Sequence, residues 1–134
     1  MKEINAEDYN ELLNSEAPVV IDFHATWCGP CKVLSPILEE LSDEVTGVEF
    51  VKLDVDQHPE IAGANGVMGV PTVVMLKGGE VKERFVGVQP KEVIKEKVSA
   101  LIWFVKVNSF PPDNFINSFF RYGLLFIFWV ANTI

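Results

Sequence analysis

Residues 19–32 read VVIDFHATWCGPCK, and this stretch decides the fold because it joins two elements of different kinds. Residues 19–23 form a nearly continuous apolar run with β-branched side chains, which is typical of a strand covered on both faces. Beyond the two cysteines, apolar residues recur at helical spacing over residues 33–45, opposite acidic residues. The sequence therefore predicts a buried strand, a tight turn that carries Cys28 and Cys31, and an amphipathic helix.

The sequence on either side of this stretch adds further elements. Upstream, a short strand at residues 2–4 leads into a helix that ends near residue 13, with Asn5 as its N-cap. Downstream, the patterns predict a strand at 48–55, a short helix at 59–64, a strand at 72–76, a hairpin turn at 77–80, a strand at 81–86 and a helix opened by Pro90. This order indicates an α/β fold with a central mixed β-sheet flanked by helices on both faces.

The composition indicates one acidic globular domain. At 134 residues, with 49% hydrophobic and 22% charged residues, the chain is long enough for one domain and too short for two ordinary ones. The net charge of -8 argues against nucleic acid as a partner, because phosphate binding needs clustered Lys and Arg. The first ten residues have neither a basic start nor an apolar core, so we expect no signal peptide and a cytoplasmic location.

The composition changes near Leu101. Residues 101–134 contain 10 of the 15 aromatic residues but only one acidic residue, Asp113. We therefore expect a domain at residues 1–101 and an aromatic-rich extension at residues 102–134. Three interpretations of the extension stay open: an irregular or loosely docked segment, a helix that packs on the domain or a partner, and a membrane anchor.

The two cysteines are the only ones in the chain, and their spacing suits redox chemistry. At a helix N-terminus, the unpaired backbone N–H groups and the helix dipole favour a thiolate at Cys28. Gly29 permits the tight turn, and Pro30 fits an early helical position that needs no N–H. Two intervening residues let the sulfurs bond to each other, so we expect a redox-active Cys28–Cys31 disulfide.

Three other polar residues near this stretch are candidates for a role. His24 and His58 would complete a zinc site with the two cysteines, but the spacing fits no zinc-finger pattern, so we expect no metal. Asp22 lies inside the apolar strand, where burial should raise its pKa and make it a usable proton acceptor. A buried Asp22 that only forms hydrogen bonds is the alternative.

Over residues 2–101 the chain resembles the thioredoxin family. The resemblance lies in residues 20–23 (VIDF), 27–32 (WCGPCK), 52–56 (KLDVD), 67–72 (VMGVPT) and 77–80 (KGGE), and in Pro36 and Gly87. It implies a thioredoxin fold and a protein disulfide reductase that serves electron transport and cell redox homeostasis. It also implies disulfide-containing protein substrates, thioredoxin reductase as the electron donor, and no bound cofactor.

The resemblance implies a role for each matching position near the cysteines. Cys28 would be the exposed nucleophile and Cys31 the buried resolving thiol. Asp22 would be the proton acceptor beneath them. Lys52 would either tune it from the neighbouring strand or be a simple surface lysine. Pro71 matches the cis-proline that lies beside the cysteines in the family.

The resemblance also implies a substrate-binding rim around the dithiol, formed by Trp27, Gly69, Val70 and Gly87. The backbone at Val70 would pair with an extended substrate like an added strand. Two alternatives to a reductase stay open: an oxidase or isomerase with the same chemistry, and a binding module that uses the rim without redox turnover.

His24 departs from the family, which usually has an aromatic residue at this position. It follows Asp22 by two residues and therefore lies on the same side of the predicted strand. A structural histidine and a histidine that makes the site sensitive to pH are both open interpretations.

Overall fold

A computed structural model describes the backbone of residues 1–108 and the side chains of residues 1–103. In chain order the elements are β1 (Lys2–Glu3), α1 (Ala6–Leu13), β2 (Val19–His24), α2 (Gly29–Glu44), β3 (Glu49–Asp54), α3 (Pro59–Ala64), β4 (Thr72–Lys77), β5 (Glu80–Val86) and α4 (Lys91–Asn108). The predicted order of strands and helices is confirmed.

The five strands form one mixed sheet in the order β1-β3-β2-β4-β5. Strands β1, β3 and β2 are parallel, whereas β4 runs antiparallel to β2 and to β5. Strand β2 is therefore central, and its burial on both faces explains the apolar run from which the fold was predicted. The predicted α/β class and mixed sheet are confirmed.

Helices cover both faces of the sheet, and alternate residues of β2 face opposite helices. Val19, Ile21 and Phe23 share a core cluster with residues of α1 and α3. Val20 belongs to the other cluster, with residues of α2 and α4 such as Leu34 and Ile94. Asp22 alternates with the first set and so lies on the face that α2 covers.

Local signals explain where several elements begin and turn. The Asn5 side chain accepts the backbone N–H of Asp8, whose carboxylate in turn accepts the backbone N–H of Asn5, which is a capping box at the start of α1. Gly78 and Gly79 have φ angles of 58° and 73° and form the two-residue turn between β4 and β5. A Cβ atom at Gly79 would collide with the carbonyl oxygen of Leu13, so this turn also needs glycine for space.

Met1–Trp103 form one compact unit, and α4 continues to Asn108, past the predicted boundary at Leu101. Leu101 is buried in the core of this unit, whereas Trp103 is 65% exposed. The division at Leu101 stays a prediction. The three interpretations of the extension concern a segment that, from residue 109 onward, lies outside the described residues. Within the described part of the chain, no helix is long and apolar enough to cross a membrane.

Candidate active site

The two cysteines form a disulfide at the N-terminus of α2. Cys28 is the N-cap residue, Gly29 and Pro30 are the first two helical residues, and Cys31 follows. The Sγ atom of Cys28 accepts the backbone N–H of Cys31 at 3.2 Å, so one of the otherwise unpaired N–H groups of the first turn points at this sulfur. The structure thus has the local arrangement that the sequence predicts for these four residues.

The cysteines do not differ in exposure in this oxidised form. Each is 3% exposed, and both pack with Ala25 and with the partly buried Val70. The expectation that Cys28 is exposed beside a buried Cys31 is therefore wrong for the disulfide state. The expectation fails because it considered only the position of Cys28 at the end of the helix. The segment that carries Val70 packs against both cysteines and covers them.

Asp22 is fully buried on the face of β2 that α2 covers. Its Oδ2 atom accepts a hydrogen bond of 3.3 Å from Ser35 Oγ on α2, whereas its Oδ1 atom is buried without a partner. Ser35 lies one turn after Cys31 and so on the same side of α2. The helix that holds the dithiol therefore also contacts the buried carboxyl group.

Burial raises the pKa of Asp22 from 3.8 to about 6, because an ionised carboxyl group loses its hydration there. The nearby charge of His24, the hydrogen bond from Ser35 and the charge of Lys52 each lower the pKa, but burial is the largest effect. Lys52 is the register partner of Asp22 on β3, which explains its influence. The pKa of Asp22 thus lies near neutrality, where a carboxyl group exchanges protons readily.

The peptide bond between Val70 and Pro71 is cis. The backbone N–H of Gly87 donates a hydrogen bond of 2.9 Å to the carbonyl oxygen of Pro71, and Thr72 Oγ1 donates one of 2.7 Å to the carbonyl oxygen of Gly69. Gly87, with a φ angle of 84°, has a backbone conformation that side-chain-bearing residues rarely adopt. These bonds tie Gly69 and Gly87 to the segment around Pro71, and Val70 of the same segment packs against the cysteines.

Two large apolar side chains are exposed next to these residues. Trp27, which precedes Cys28, is 70% exposed, and Met68, which precedes Gly69, is fully exposed. Trp27 Nε1–H donates a hydrogen bond of 2.8 Å to Asp56 Oδ2, which fixes one edge of the exposed ring. An exposed apolar surface of this kind suits the docking of another protein.

Sequence reasoning assigned no role to three residues that contact or extend this site: Ser35, Asp56 and Met68. For Ser35, the signal in the sequence is its helical spacing of four residues from Cys31. Asp56 and Met68 both lie inside stretches that resemble the family, but only the fold shows that Asp56 reaches Trp27 and that Met68 is exposed.

The two histidines considered as zinc ligands each lie near a glutamate instead of forming a site with the cysteines. His24 Nε2 lies 3.5 Å from Glu3 Oε1, and His58 Nδ1 lies 3.6 Å from Glu60 Oε1. In the part of the chain that the structure describes, no group of three or more His, Cys, Asp or Glu side chains is placed to hold a metal ion.

Two sulfurs that bond reversibly beside an exposed apolar surface can exchange disulfides with another protein, and the helix N-terminus favours the thiolate that such exchange needs. The fold and site therefore define a protein-disulfide oxidoreductase.

Comparisons with known proteins identify the family. The thioredoxin family model matches residues 1–100. Thioredoxin of Bacillus subtilis is 51% identical over 86 residues, which cover 63% of this chain and 83% of the relative. Thioredoxin of Chlorobaculum thiosulfatiphilum is 43% identical over 101 residues, covering 72% of this chain and 94% of the relative. The oxidised form of mitochondrial thioredoxin 3 from Saccharomyces cerevisiae superposes with a TM-score of 0.69 at 34% identity, covering 75% of this chain and 94% of that structure.

The chain belongs to the thioredoxin family, as its sequence predicts. It is a protein disulfide reductase that works through the Cys28–Cys31 pair. Members of this family need no cofactor beyond the redox-active disulfide, and they generally work with disulfide substrates and thioredoxin reductase.

Proposed function

We propose that Cys28 is the attacking sulfur of the reduced protein and Cys31 the resolving one. The thiolate of Cys28 attacks one sulfur of a substrate disulfide, and the other substrate sulfur leaves as a thiolate and takes a proton. Cys31 then attacks Cys28 Sγ, which releases the second substrate thiol and forms the Cys28–Cys31 disulfide. The observation that carries this assignment is the N-cap position of Cys28, whose sulfur accepts the Cys31 N–H.

Asp22 is the proton acceptor for Cys31 in this proposal. Cys31 must lose its proton in an apolar site, where water does not solvate a thiolate well. Asp22 is buried on the same side of α2 as Ser35, one turn from Cys31, and its raised pKa suits proton exchange near neutral pH. Lys52 keeps that pKa from rising further.

Protein substrates dock on the rim of Trp27, Gly69, Val70 and Gly87, extended here by Met68. Val70 directly precedes Pro71 and β4, so an extended substrate segment can run beside its backbone as an added strand. Exposure of Trp27 and Met68 supplies apolar contact area.

The electron donor in this proposal is a thioredoxin-reductase-type flavoenzyme, and the compartment is the cytoplasm. The cysteine usage supports a reducing compartment, because both cysteines belong to the active site and neither is left for a structural disulfide.

Insulin reduction tests the proposal. The oxidised protein is mixed with insulin, NADPH and a bacterial thioredoxin reductase, and NADPH consumption is followed. We expect the wild-type protein to consume NADPH, and a double Cys28→Ser, Cys31→Ser variant not to. Failure to accept electrons from the flavoenzyme, with normal activity in dithiothreitol, would refute the donor alone. Full function of the double variant in cells would favour the binding module over the reductase.

A further inference from the structure

His24 lies at the boundary between the buried site and solvent. It ends β2, two residues after Asp22 on the same face of the strand, and 13% of its side chain is exposed. Among the described residues, three buried side-chain atoms have no hydrogen-bond partner, and two of them are Asp22 Oδ1 and His24 Nε2. The Nε2 atom of His24 is therefore buried without a hydrogen bond, 3.5 Å from Glu3 Oε1, while part of the side chain reaches solvent.

A pocket connects His24 with the reacting residues. Its lining includes His24, Cys31 and Ser35. Ser35 also donates the hydrogen bond to Asp22, so the pocket reaches the buried carboxyl group through this hydroxyl. Cys31, His24 and Ser35, which donates the hydrogen bond to Asp22, thus line the same pocket.

Charged groups face His24 from each neighbouring element. From β1, Glu3 Oε1 lies 3.5 Å from His24 Nε2. From β3, the register partner of His24 is Asp54, and Lys52 lies two residues before Asp54 on the same face. From α2, Lys32 and Glu39 line the pocket, and the amino group of Met1 lies 4.0 Å from Glu39.

We propose that His24 is a positioning residue that carries the proton of the resolving step between the pocket and solvent. Cys31 gives its proton to Asp22 as its sulfur bonds to Cys28 Sγ; the bond from Cys28 to the substrate sulfur breaks, and that sulfur leaves with the electron pair and takes a proton from solvent. The proton on Asp22 then passes through the pocket to His24, and Glu3 holds the imidazolium until solvent takes the proton. This inference rests on the proposed role of Asp22.

The test measures the two exchange steps separately by stopped-flow fluorescence, with a peptide that has one intramolecular disulfide. His24→Gln removes the titrating group, and we expect resolution to slow about tenfold at neutral pH, less than a directly contacting acid or base supplies. Attack by Cys28 should stay within about twofold, because no proton passes through His24 in that step. His58→Gln is the matched control, since His58 does not line the pocket.

Chemical rescue separates proton transfer from a structural role. In His24→Ala, added imidazole should restore the resolution rate in proportion to its neutral form, while leaving the wild-type rate unchanged. Combining His24→Gln with Asp22→Asn should slow resolution no further than Asp22→Asn alone, because both act on one path.

Equal resolution rates for wild type and His24→Gln over about pH 5.5 to 8.5 would overturn the inference. Loss of both steps together with a lowered melting temperature, and no rescue by imidazole, would make His24 a structural residue and overturn it too. A wild-type protein that does not reduce the peptide at all would instead refute the proposed function.

Discussion

The Sγ atom of Cys28 accepts a 3.2 Å hydrogen bond from the backbone N–H of Cys31, and this bond makes the two sulfurs inequivalent. Cys28 caps α2 and faces its unpaired N–H groups, whereas Cys31 belongs to the first turn of the helix itself. Exposure cannot distinguish them, since both are 3% exposed in the disulfide form. The difference that matters is therefore electrostatic: negative charge on Cys28 is stabilised by the helix N-terminus.

This inequivalence predicts which cysteine traps a substrate. Cys31→Ser leaves the attacking sulfur but removes the resolving one, so mixed disulfides with substrates should accumulate. Cys28→Ser should trap few. Non-reducing gels of each variant after incubation with insulin measure the difference, and iodoacetamide should label Cys28 first in the reduced wild type. Preferential labelling of Cys31 would reverse the assignment.

Most of the fold follows from local patterns in the sequence. Three local patterns each favour a single structure: the apolar run of β2, the Asn5 cap and the glycine pair at 78–79. The protein adopts the favoured structure at all three. The mixed sheet followed from their order. The cis bond before Pro71 came only from the family resemblance, because a cis bond is the minority state even before proline.

Contacts between distant residues could not be predicted in this way. Trp27 and Asp56 are 29 positions apart, and they meet because β2 and β3 are neighbours and both end at the same edge of the sheet. Glu3 on β1 reaches His24 on β2 across the strand between them, β3, which pairs with both. The order of strands in the sheet decides such contacts, and hydrophobic periodicity does not contain that order. The equal burial of the cysteines was missed for the same reason.

The hydrogen bond from Trp27 to Asp56 should reduce the freedom of the exposed ring before a substrate binds. Asp56→Ala removes the acceptor, and ordering one side chain on binding costs roughly 0.5–1.5 kcal/mol. We expect KM for insulin to rise about threefold to tenfold, with little change for a small disulfide such as DTNB. Gln57→Ala, at the exposed neighbouring position, is the control. Equal effects on both substrates would show that the bond supports the dithiol and not docking.

Met68 should contribute to protein docking because it is fully exposed next to Gly69 and Val70. Met68→Asp replaces apolar contact area with a charge, and we expect kcat/KM for insulin to fall about fivefold, near 1 kcal/mol. Val81→Asp is a matched control, since Val81 pairs with Leu76 at the end of the β4–β5 hairpin away from Pro71. Activity unchanged in Met68→Asp would remove this residue from the proposed docking surface.

Residues 109–134 of the extension should not be needed for redox activity. Among the described residues, the two core clusters on either face of the sheet lie within residues 1–101, so a chain ending at Asn108 retains them together with all of α4. We expect insulin reduction to be unchanged and the melting temperature to shift by less than about 3 °C, as for changes outside the core. Aggregation, followed by light scattering, should fall because aromatic residues are removed. A large fall in melting temperature would show that residues 109–134 complete the core.

Asp22 should make stability depend on pH. Burial raises its pKa from 3.8 to about 6, so between these values the folded protein binds more protons than the unfolded chain. The free energy of unfolding therefore falls as pH rises through about 4 to 6, and the loss is complete above that window. At about 1.4 kcal/mol for each pH unit, the total is about 3 kcal/mol. Asp22→Asn removes this dependence, so its stability advantage over wild type should be roughly 2 kcal/mol larger at pH 7 than at pH 4, because part of the loss has already occurred by pH 4.

Denaturant unfolding of the oxidised protein across this pH range measures the effect without titrating the cysteines. Asp54→Asn is the matched control: Asp54 is also buried, but its Oδ1 atom accepts the backbone N–H of Asp56 at 2.8 Å, so an amide there should give no gain. The same Asp22→Asn protein should resolve mixed disulfides more slowly than wild type while Cys28 attacks at its usual rate. An unchanged resolution rate together with lower stability at pH 7 would make Asp22 a structural residue, and the proton would then have to leave Cys31 by another path.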